Sequence, residues 1–115
     1  MAGIFGRLFA RPAAEPRWVE VAELRQRLAS AAPPLVIDVR GADEFDGPLG
    51  HIDGARNILL PELGAHQGEI ATAGRPVVCV CLTDKRSAAA AMQLAEAGLS
   101  DVVVLRGGMK AWREG

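Results

Sequence analysis

The strongest constraint on the fold is a set of near-continuous apolar runs, Leu35-Val36-Ile37-Asp38-Val39, Val77-Val78-Cys79-Val80-Cys81 and Val102-Val103-Val104-Leu105. A strand with one wet face alternates apolar and polar residues, whereas a run without alternation belongs to a strand buried on both faces. Each run here leads through a polar or glycine-bearing loop into a segment with helical spacing. Strand and helix therefore take turns along the chain. That order predicts an α/β fold with right-handed crossovers and a parallel sheet covered by helices on both sides. Ligands of such sheets bind beyond the carboxyl ends of the strands, which directs attention to the loops after Asp38 and after Val80.

The remaining elements fill in around these strands. Trp18-Val19 reads as a short strand, followed by Val21, Leu24 and Leu28 at helical spacing and by Pro33-Pro34 as the stop. Arg40 to Gly47 predicts a loop and a helical turn, and Gly50-His51-Ile52-Asp53-Gly54-Ala55 a second loop before a brief strand at Asn57-Ile58-Leu59. Pro61 is placed to open a helix that Gly74 closes. Ser87 to Gly98 is alanine-rich, with strong helix propensity and a glycine suited to the C-terminal cap. A last amphipathic turn runs through Met109 and Trp112.

Residues 17–115 read as one domain, and residues 1–16 as an N-terminal arm ending in the linker Arg11 to Pro16. Ile4, Phe5, Leu8 and Phe9 would share one helical face, so docking on the domain or a membrane surface stays open for the arm. No run is long enough to span a bilayer. The formal net charge of -1 gives no support for nucleic-acid binding. Cys79 and Cys81 are too close along one strand to frame a disulfide scaffold, which makes a reducing, cytoplasmic setting the expectation. With two scattered histidines they form no recognisable metal-ligand set, and no cofactor is expected. A monomer is expected.

The loop Cys81-Leu82-Thr83-Asp84-Lys85-Arg86-Ser87 carries the chemistry. A strand that runs through a short polar loop into a helix leaves unpaired N–H groups at the positive end of the helix dipole. Such surroundings, with Lys85 and Arg86 close behind, favour a thiolate, and the thiolate is the nucleophilic form of cysteine. Cys79 lacks the loop and reads as core packing.

These motifs together resemble a single-domain rhodanese. The resemblance rests on Asp38-Val39-Arg40, Gly50 to Ala55, the Cys81 to Ser87 loop and Gly107-Gly108-Met109-Lys110-Ala111-Trp112, spanning about Trp18 to Trp112. It implies a three-layer α/β/α fold with a central parallel sheet of about five strands. It also implies a sulfurtransferase that takes sulfane sulfur from thiosulfate or another persulfide donor onto Cys81. An acceptor thiol, cyanide or a protein would then remove it. The backbone of Leu82 to Ser87 would cradle the sulfur. Two positions depart from the family pattern: Asp53 stands where proline is frequent, and Asp84 where glycine is usual. The second sets a carboxylate beside the sulfur, and glycine at that position would suggest a left-handed backbone.

Each loop residue also has a plainer reading. Arg86 could bind an anionic substrate or form a surface ion pair, and Thr83 could donate to the terminal sulfur or shape the turn. Asp38 and Arg40 support the site, with Asp38 tying down loop N–H groups and Arg40 pairing with Asp43 or Glu44. His51 and His66 receive no catalytic role. Two other functions compete with sulfur transfer. One is a phosphatase or arsenate reductase, whose loops place five residues between Cys and Arg where four separate Cys81 from Arg86. The other is a non-catalytic interaction module.

Overall fold

A computed structural model describes residues 16–115; the expected N-terminal arm lies, apart from Pro16, outside them. The apolar runs form a five-stranded parallel sheet. In chain order the elements are β1 (Arg17–Val19), α1 (Val21–Leu28), β2 (Leu35–Asp38), α2 (Ala42–Phe45) and β3 (Arg56–Asn57). A 3-10 helix (Leu60–His66), α3 (Gln67–Ala73), β4 (Val77–Val80), α4 (Lys85–Glu96), β5 (Val102–Leu105) and α5 (Gly108–Glu114) follow. The strand order is β1-β5-β4-β2-β3, with every neighbouring pair parallel.

Burial follows the missing alternation: every residue of β2, β4 and β5 is buried. One side chain goes to each face in turn, so each strand feeds two cores. Leu35, Ile37, Val77, Cys79, Cys81 and Val104 pack beneath α3 and α4. Val36, Val78, Val80, Val103 and Leu105 pack against Leu24 of α1 and Met109 and Trp112 of α5. These two cores make the three layers.

Local boundaries differ from the sequence expectations in instructive ways. The helix expected from Pro61 to Gly74 is divided, its first half wound as the 3-10 helix, where Gly64 lowers helix propensity. Gly74 ends the second half in the left-handed region at φ +65°. The brief strand expected at residues 57–59 is Arg56–Asn57, because the chain already turns into the 3-10 helix at Leu60. The helix after the cysteine loop begins at Lys85 rather than Ser87. It closes as the alanine run implies, with Leu99 N–H on Leu94 O and Gly98 N–H on Ala95 O.

The topology brings two loops together. β2 and β4 are neighbours in register, Asp38 opposite Val80. From β2 the sheet continues to β3 on one side, and from β4 to β5 on the other. The crevice between two such outward-running halves is where open parallel sheets bind ligands.

Candidate active site

Both cysteines are buried, and their position along the chain separates them. Two residues apart on one strand, they face the same core. Cys79 is fully buried; desolvation, with Cys81 nearby as the lesser cause, pushes its thiol up to about 12. It stays a neutral packing group. Cys81 stands just past the end of β4, where the chain bends into the loop. Its Sγ receives the Ser87 N–H at 3.3 Å and lies 3.2 Å from the Ser87 hydroxyl oxygen. Ser87 is itself buried in the first turns of α4.

The loop is fastened from its carbonyl side. Met109 N–H donates to Cys81 O at 2.9 Å and Lys110 N–H to Leu82 O at 3.1 Å. Gly108, at φ +59°, touches the same carbonyls: a Cβ there would lie 2.1 Å from Thr83 O and 2.4 Å from Cys81 O. Only glycine lets the turn between β5 and α5 close on the loop this tightly. The loop's N–H groups are left over. Among the described residues, those of Leu82, Thr83, Asp84, Lys85 and Arg86 have no acceptor, in line with the orphan donors of a helix start. Thr83 and Lys85 are exposed at the lip, and Leu82 is half-buried.

Asp84 corrects one expectation. It precedes α4 at φ -154° and ψ 3°, outside the left-handed region, so the position makes no demand for glycine. With the helix starting at Lys85, Asp84 is its N-terminal flank rather than the middle of a tight turn. Its Oδ2 accepts the Gly107 N–H at 3.4 Å.

Arg86 donates both guanidinium nitrogens to Glu44 of α2, at 2.7 and 3.0 Å. These bonds, ahead of an opposing desolvation effect and of smaller help from the Gly41 N–H and Arg40, bring the Glu44 carboxyl down to about 2. The fork ties the loop after β2 to the helix after β4. Arg40 was expected to pair with Asp43 or Glu44 through their side chains, and it does not. It forms a buried ion pair with Asp38 at 2.8 Å and reaches Glu44 only through the backbone O, at 3.1 Å. Burial explains the choice: Asp38 and Arg40 are each 1% exposed, and a buried carboxylate needs the nearest cation. Asp38 also accepts the Arg40 N–H, while Arg40 donates to Gly50 O. His51 Nδ1–H donates to Phe45 O, and its ring stacks on Phe45 at 3.6 Å between centroids. Among the described residues, no three His, Cys, Asp or Glu side chains gather where they could hold a metal ion.

Sequence reasoning counted Gly107 and Gly108 only as part of the family motif and Glu44 only as a candidate partner of Arg40, and missed what each does at the loop. A glycine pair one residue past a buried strand was the available signal for the first two. For Glu44 there was none, since its partner Arg86 lies 42 residues away.

A family model described as a rhodanese-like domain matches residues 20–115. YqhL of Bacillus subtilis, described as uncharacterized, is 44% identical over 77 residues, covering 67% of this chain and 59% of YqhL. The chain thus spans less than two thirds of that relative. GlpE of Shewanella oneidensis, named a thiosulfate sulfurtransferase, is 38% identical over 88 residues, covering 76% of this chain and 84% of GlpE. The crystal structure of a rhodanese-related protein from Thermoplasma volcanium superposes with a TM-score of 0.71 at 29% identity, over 85% of this chain and 91% of that one. A cysteine loop held between a long helix and a glycine turn, on a sheet matched over nearly its whole length, makes this chain a member of the rhodanese-like domain family.

Proposed function

We propose that the protein is a sulfurtransferase that carries sulfane sulfur as a persulfide on Cys81. One observation carries this reading: Cys81 Sγ receives the Ser87 N–H beside a row of five backbone N–H groups without acceptors, at the start of a twelve-residue helix. Oriented N–H donors at a helix start stabilise an anion, first the thiolate and then the terminal sulfur of the persulfide. In the first step the Cys81 thiolate attacks the outer sulfur of the donor. The donor's S–S bond breaks, and its remaining thiolate, or sulfite from thiosulfate, leaves with the electron pair. In the second step an acceptor thiolate or cyanide attacks the terminal sulfur and the Cys81 thiolate departs. No external oxidant or general base is needed.

Charge around the loop favours this over phosphate chemistry. Arg86 is committed to Glu44, which leaves Lys85 as the exposed loop cation and Asp84 as a nearby anion. A tetrahedral phosphate dianion would find little net positive charge and a loop one residue shorter than phosphatases use. Sulfur donors that are neutral at the reacting end, or borne by a protein, fit better than dianions. The test is a two-stage assay: load the protein with a sulfane donor, remove excess donor, then add cyanide. One equivalent of thiocyanate per chain is expected, and none from Cys81→Ser. Thiocyanate from Cys81→Ser in the same yield would rule the reading out.

A further inference from the structure

Away from the cysteine loop, on the face of the sheet covered by α1 and α5, lies an open cleft of about 620 Å³. Three arginines line it: Arg25 of α1, Arg75 before β4 and Arg113 of α5. What sets them apart is their partners. Of the other described arginines, those at positions 17, 40, 56, 86 and 106 each face a carboxylate, and Arg27, outside the cleft, does not. Among the described residues these three bond only to carbonyls: Arg25 to Trp112 O, Arg75 to Pro33 O and Pro34 O, and Arg113 to Leu49 O and His51 O. A carbonyl fixes a guanidinium in place without cancelling its charge. Arg25 is held further by stacking over the Trp112 ring at 3.9 Å. Asp53 is the one carboxylate among the lining residues, so three positive charges meet one negative on a chain whose net charge is -1. The lining between them is mixed, with accessible apolar surface from Leu28, Ala29 and Pro33 beside the guanidinium groups.

We infer that this cleft is a docking site for an acidic peptide segment of a protein partner, with carboxylates on the three guanidinium groups and an aliphatic side chain between them. A free inorganic anion would leave the apolar part of the lining, at Leu28, Ala29 and Pro33, unused, and the overall negative charge disfavours nucleic acid. The cleft sits on the opposite sheet face from the Cys81 core, so a partner held there leaves the cysteine loop open. The site lies outside the sulfur-transfer reading and does not depend on it.

Fluorescence anisotropy with a fluorescein-labelled peptide of alternating glutamate and leucine tests this, against the same peptide with glutamine in place of glutamate. The acidic peptide should bind and weaken as salt rises. Arg25→Gln, Arg75→Gln and Arg113→Gln should each lower affinity about three-fold, and the triple variant about thirty-fold, the range of exposed ion pairs. Arg27→Gln, a half-buried α1 arginine outside the cleft, should change nothing. Arg113→Lys keeps the charge and should stay within about two-fold of the parent. The inference fails if the two peptides bind alike, if the arginine variants bind as the parent does, or if Arg113→Lys loses as much as Arg113→Gln. Binding of inorganic tripolyphosphate without binding of the acidic peptide would likewise overturn it.

Discussion

The loops after β2 and β4 leave adjacent parallel strands at the same edge of the sheet, yet they use their polar groups in opposite ways. After β2 the polar groups turn inward. The Arg40 guanidinium is divided among Asp38, Glu44 O and Gly50 O, and Asn57 Nδ2 donates to Asp38 O and Arg40 O. After β4 the carbonyls are held by α5 while five N–H groups keep no partner among the described residues. A buried, fully satisfied network rigidifies; a row of free donors is available to a ligand. The first loop is scaffold for the second, and Glu44 to Arg86 is the strut between them.

Substitutions should separate the two regions. The largest effect belongs to the scaffold: Arg40→Met leaves the buried Asp38 carboxylate without its cation and should cost about 3–5 kcal/mol in urea unfolding. Lys85→Gln, in the receptive loop, should change stability by less than about 0.5 kcal/mol. Equal losses from the two would erase the distinction. Next comes Gly108→Ala, which drives a methyl into the Thr83 and Cys81 carbonyls and should cost about 3 kcal/mol. Sulfur loading on the fraction that remains folded should fall more steeply than stability does, because the displaced loop is the proposed sulfur site. Normal loading in a folded Gly108→Ala variant would show that the turn does not shape the loop.

A smaller effect tests the strut. The Glu44 carboxyl is lowered from 4.5 to about 2, so its ion pair stabilises the fold above pH 4.5, and that contribution is lost as pH falls toward 2. The pair is about a third exposed, which limits its contribution to about 1 kcal/mol. The stability gap between the parent and Glu44→Gln should therefore close between those pH values; a gap that is constant with pH would exclude the ion pair as its cause. The smallest effect concerns donor choice. Asp84→Asn removes the carboxylate while keeping an oxygen for the Gly107 N–H, and should raise kcat/KM for thiosulfate about five-fold at low salt, with the gain shrinking as salt rises. Because Asp84 lies outside the left-handed region, Asp84→Gly should gain no more than Asp84→Asn. A larger gain for glycine would point to backbone freedom instead of charge.

The sequence made the sheet, its layers and the position of the cysteine loop legible, because continuous burial of Leu35–Asp38 and Val77–Val80 is a direct consequence of composition along the strand. Cys81 stood out for the same reason, at the point where burial gives way to polar residues. What could not be read was pairing across long separations. Arg86 met Glu44, and Arg40 turned back to Asp38, since these choices depend on which groups the fold buries together. The clamp of Gly107 and Gly108 on the loop was equally hidden, because it needs β5 beside β4 before the glycines have anything to touch.

The central claim is that the free N–H groups after β4 serve the sulfur of Cys81. Site-mapped mass spectrometry of the unreduced protein after exposure to a sulfane donor tests it most directly. The account predicts a gain of one sulfur atom on Cys81, none on Cys79, and none anywhere in Cys81→Ser. Sulfur found on Cys79, or retained in the Cys81→Ser protein, would contradict it.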